Sequence, residues 1–112
     1  MQPPIFVDDS GDLTIHASVK DAESWLEPHD VDEPLRFVYD ATGTLLGQQI
    51  VERHSVRLVK LVPVEQHSAH AAELSETIRR QLRYFATIGK WNGDEHWLAS
   101  ASLDDLIAEV SQ

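Results

Sequence analysis

His67-Ser68-Ala69-His70 is the nearest this sequence comes to a metal-ligand pattern, since imidazoles three residues apart at a helix start can face the same way. No HExxH is present and spacing marks no third ligand, so two solvated histidines opening a helix account for the pair. Asp94-Glu95-His96 sets carboxylates beside an imidazole, the raw material of acid-base chemistry, yet sequence neighbours need not point at one another. There is no GxSxG, and Ser10, Ser18, Ser68 and Ser102 stand where turns and helix caps explain them. Gly11, Gly43, Gly47, Gly89 and Gly93 are too scattered for a phosphate loop or a dinucleotide turn. The expectation is a binding protein rather than an enzyme, with no catalytic residues, metal or cofactor.

The residues suited to binding are acidic and aromatic. Residues 1–40 carry Asp8, Asp9, Asp12, Asp21, Glu23, Glu27, Asp30, Asp32, Glu33 and Asp40 against only Lys20 and Arg36, which is −8 of a formal −10 for the chain. Such a balance opposes attraction to nucleic-acid phosphates and anionic lipid and suits a basic partner. Asp8, Asp9 and Asp12 share one turn, and Glu27, Asp30, Asp32 and Glu33 share one proline-bounded stretch. These acids could steer a cationic protein, although solubility alone also explains surface carboxylates. Trp91 and Trp97 flank Asn92-Gly93-Asp94-Glu95, the mixture of anchor and charge found at interfaces, and they could equally cover the end of a core. Trp25 falls on a helical apolar stripe and reads as core. Arg79, Arg80, Arg83 and Lys90 alternate with Glu73 and Glu76 and read as a solvated helix face, with Glu76 and Arg80 spaced for an i,i+4 pair.

Two β-prone runs, Ile5–Val7 and Leu13–Ala17, enclose an Asp/Gly-rich turn and predict a hairpin. Ser18 with Asp21 predicts a capped helix ending before Pro28, and 27–34 reads as an exposed connection. Leu35–Tyr39 and Thr44–Val51 flank Asp40-Ala41-Thr42-Gly43 as a second hairpin, and Ser55–Val64 supplies a further strand. From Ser68 to Ile88 the spacing of Ala71, Leu74, Ile78, Leu82, Phe85 and Ile88 predicts the main helix, stopped at Gly89. Residues 90–97 read as a loop, and Ser102 with Asp105 opens a last helix through Leu103, Leu106, Ile107 and Val110.

The order ββαβββαα predicts one α+β domain over residues 1–112, a mainly antiparallel sheet of about five strands with packed helices. With 112 residues there is room for one core. The chain has no cysteine, so disulfides, thiol nucleophiles and thiolate metal sites are excluded. No run suits a membrane span, Met1-Gln2-Pro3-Pro4 lacks the order of a secretory signal, and a cytoplasmic location is expected.

In size, acidity and organisation, with Asp8 to Asp12, Glu27 to Glu33 and Trp91 to Trp97 as contact segments, the chain resembles the immunity proteins of bacterial polymorphic toxin systems. The resemblance implies a small cytoplasmic protein that binds a cognate toxin domain, a nuclease being one such target, and occludes its active or substrate-binding surface. Two alternatives stay open: a small enzyme or metal-binding protein using His67, His70 or His96, and a self-associating adaptor domain.

Overall fold

A computed structural model describes residues 1–28, 36–64 and 69–112. Their elements are β1 (Ile5–Asp9), β2 (Asp12–His16), α1 (Val19–Trp25), β3 (Arg36–Tyr39), β4 (Leu45–Arg53), β5 (Val56–Pro63), α2 (Ala71–Thr87), α3 (Glu95–Ser100) and α4 (Leu103–Val110). The expected α+β class and ββαβββαα order hold, with the six-residue α3 added ahead of the last helix.

The five strands form one antiparallel sheet in the order β2-β1-β3-β4-β5. β1 pairs with β2 on one side and with β3 on the other, so β2 and β3 run parallel with β1 between them. Alternate residues of β1 therefore face two cores. Phe6 joins Leu13, Tyr39, Leu74, Ile78, Leu82, Leu98 and Leu106 beneath α2 to α4, while Ile5 and Val7 join Ala22, Leu26, Val38, Leu46, Val59 and Leu61 beneath α1. This two-sided burial is why Ile5-Phe6-Val7 is an unbroken apolar run, each residue fully buried.

Local signals set the helix limits. The Ser18 and Ser102 hydroxyls accept the backbone N–H groups of Asp21 and Asp105, at 3.0 and 3.1 Å, so both caps form where the sequence places them. Gly89 takes φ +75° just beyond α2 and allows the chain to leave the helix.

Two residues of the expected apolar stripes lie elsewhere. Trp25 is 47% exposed, because the seven-residue α1 buries Ala22 and Leu26 and leaves the indole tilted against His16 at a ring separation of 5.2 Å. Ile88 is exposed because it lies past the last turn of α2. Among the described residues, no helix is long and apolar enough to cross a membrane.

Candidate functional site

The β1–β2 turn carries two exposed carboxylates of the predicted set, Asp9 and Asp12, beside the half-buried Asp8. Ser10 and Gly11 both have positive φ, +56° and +94°, which makes the two-residue connection whose twist matches a hairpin. Asp8 turns its Oδ1 to the Gly11 N–H at 2.9 Å and so braces the turn. Asp9 and Asp12, paired across the strand ends, are exposed and make no ion pair among the described residues. Two like charges opposite each other repel, so a cation placed between them is favoured. One flank of the turn forms a shallow groove, where Ser10, Gly11 and Asp12 meet Arg80, Gln81 and Tyr84 of α2.

The tryptophan segment lies beyond the same end of α2. Trp91 and Trp97 are half-buried against the core that holds Leu98 and Leu106, with rings 6.3 Å apart. The Trp91 indole N–H donates to Glu109 Oε1 at 2.9 Å. Gly93 is required by this packing rather than by its φ, since a Cβ there would lie 2.0 Å from a carbon of the Trp91 ring. Both indoles thus cover the end of the core while keeping part of their surface outward.

Asp94 and Glu95 already have local tasks. Asp94 caps α3, its Oδ1 accepting the His96 N–H at 3.1 Å, and Glu95 meets Arg83 Nε at 3.0 Å. The Arg83 pair is exposed on both sides and worth at most about 1 kcal/mol, so a partner could exchange it readily. Glu27 is exposed just after α1, on the opposite side of the sheet from the tryptophans. Asp30, Asp32 and Glu33 lie outside the described residues, as do His67 and Ser68. Among the described residues no three His, Asp or Glu side chains gather as a metal cluster.

The helix face read as solvated is more specialised than its sequence suggests. Glu76 pairs with Arg79 at 3.7 Å and Arg83 at 3.5 Å rather than with Arg80. Arg79 is mostly buried, and its Nε and Nη2 donate to the carbonyls of Leu98 and Ala101 at 3.0 and 2.9 Å. One guanidinium fork thereby satisfies the end of α3 and the start of the α4 connection. Arg79→Ala should cost about 2 kcal/mol and speed amide exchange through α3. Arg79→Lys should recover only part of this, because an ammonium does not reproduce the planar fork.

The shifted titrations found here accompany packing. Tyr39 is pushed up to about 12 by burial, with the charges of Glu73 and Asp8 adding to it, so its hydroxyl stays protonated and donates to Glu73 Oε2 at 3.4 Å. His16 is lowered by burial, opposed by Asp21, and its Nε2 is 3.0 Å from Thr14 Oγ1. Burial acts to raise Asp40, but hydrogen bonds from the Thr42 hydroxyl and from the N–H groups of Gln2, Thr42 and Thr44 outweigh it and hold the carboxyl below its ordinary range. These contacts organise the β3–β4 connection, where Gly43 at φ +85° also lets Ala71 approach. In the sequence Asp40 reads only as part of a hairpin connection and Arg79 as part of a solvated face; the Asp-x-Thr-Gly-Thr run carries the signal of a side chain that closes its own turn.

Comparison with protein-family models, curated proteins and solved structures gives no match.

Proposed function

We propose that this chain is an immunity protein that binds a basic toxin domain and blocks its active or substrate-binding surface. The observation supporting this most directly is the pair of exposed carboxylates, Asp9 and Asp12, on a turn whose backbone is already fixed. Ordering such a turn on binding costs little, so its charge is available for attraction. A nuclease suits the role, because a site that gathers phosphates presents the cations that carboxylates satisfy. The outward parts of Trp91 and Trp97 extend the proposed contact set, with the Arg83–Glu95 pair open to exchange, while Glu27 lies across the sheet and apart from this surface.

Long-range attraction of this kind acts on the association rate. Neutralising the turn as Asp9→Asn with Asp12→Asn should slow association with a basic toxin domain roughly tenfold at low salt and less at high salt. Stopped-flow mixing across ionic strength measures this, with circular dichroism confirming an unchanged fold. Association that is equally fast in both proteins at every salt concentration would remove the steering role.

A further inference from the structure

The β4–β5 hairpin extends past the rest of the sheet. Only Leu45 and Leu46 of β4 pair with β3, whereas β4 and β5 stay in register through Arg53 and Val56. The molecule is accordingly elongated, 50 × 31 × 23 Å. A two-residue turn at His54 and Ser55, both at positive φ, closes the tip. The hairpin reverses the sign of the chain: Arg53, Arg57 and Lys60 against Glu52 give +2 over residues 45–63, leaving −12 for the remainder. All three cations are exposed and make no ion pair among the described residues.

Apolar surface accompanies these charges. On the β5 face turned away from α1, Val56 and Leu58 are 54% and 45% exposed, opposite Arg53 and Val51. The buried core beneath α2 to α4 contains no described residue of β5, so that core does not cover this face.

β5 is also the sheet edge, and its two halves differ. The Leu61 N–H points outward to Glu23 Oε2 at 2.7 Å, and Pro63 has no N–H, so the lower edge is closed to pairing. Backbone direction alternates along a strand, so the N–H and C=O groups of Val59 and Arg57 also point outward; Lys20, Glu23 and Ser24 of α1 border the space beside Val59, and Arg57 is exposed past them.

We propose that this upper edge docks an acidic segment of another protein, which adds to β5 as a sixth strand beside Arg57 and Val59. The backbone edge supplies pairing, Val56 and Leu58 supply burial, and Arg57 on one face of the strand and Lys60 on the other select carboxylates. A second copy is disfavoured, because an isologous β5–β5 contact would set cations against cations.

The probe is a short labelled peptide containing Glu-Val-Val-Glu, whose spacing sets one carboxylate opposite Arg57 and one opposite Lys60, with a Lys-Val-Val-Lys peptide as control, followed by anisotropy and by backbone amide shifts. The acidic peptide should bind, moving the amides of Arg57 and Val59, and the lysine peptide should not. Arg57→Pro removes an outward N–H that β4 does not use, and it should weaken binding about tenfold or more. Arg57→Glu with Lys60→Glu keeps the ladder and should reverse the peptide preference, which serves even if the proline variant fails to fold. Equal binding of both peptides, or acidic-peptide binding that ignores the charge reversal, overturns the proposal. So does self-association of the wild-type chain through the same amides, or preferential binding of duplex DNA there.

Discussion

Phe6→Ala is expected to destabilise the protein by about 4 kcal/mol, the cost of removing a buried aromatic ring and leaving a cavity. Phe6 is fully buried on β1, an inner strand, and its ring lies where α2, α3 and α4 converge with Leu13 and Tyr39. Few neighbours can close the space, because β1 is held on both sides by its ladders and by a second core behind it. Against a total stability of roughly 5–15 kcal/mol for a domain of this kind, that is a large fraction. Phe37→Ala is the matched control: Phe37 is exposed on β3, and its removal should cost less than about 1 kcal/mol. Urea unfolding should show a much lower midpoint for the first variant and an almost unchanged one for the second.

Asp40→Ala is the second large effect, expected at about 3 kcal/mol. The carboxylate is buried and accepts hydrogen bonds from Gln2, Thr42 and Thr44, so alanine leaves several donors without their acceptor. The loss should be pH-dependent. A carboxyl whose folded pKa is depressed contributes its full stability above the unfolded pKa and loses it as pH falls through the folded value. Stability curves of wild type and Asp40→Ala should therefore lie furthest apart near neutrality and approach one another in acid. A constant separation down through the acid range would show that the charge contributes nothing.

Elements governed by neighbouring residues were legible in the sequence. Ser18 and Ser102 each accept a backbone N–H three residues on, a geometry fixed within one helical turn, and both caps form as the spacing predicts. Leu74, Ile78 and Leu82 line the buried stripe of α2 for the same reason. Features that depend on distant chain were not. Nothing near Ile5 announces that β1 will sit between β2 and β3, since that pairing joins segments about thirty residues apart. Arg79 looks like any exposed helix cation until α3 brings carbonyls to it, and Trp25 looks apolar-facing until α1 ends beside His16. The break between Thr44–Val51 and Ser55–Val64 does anticipate the β4–β5 turn, although His54-Ser55 lacks the glycine or asparagine that usually marks such a connection. Of the proposed contact residues, Asp9 and Asp12 make no ion pair among the described residues, whereas Asp94 and Glu95 serve α3 first.

Neutralisation of a toxin domain by binding is the proposed function. The most direct measurement is growth of cells that express a candidate toxin domain from a reading frame neighbouring this one, with and without the chain, followed by recovery of the pair. The account predicts restored growth and a one-to-one complex, with both weakened by Asp9→Asn and Asp12→Asn together. Continued killing with no copurified complex, while the chain is present and folded, would contradict it for that pair.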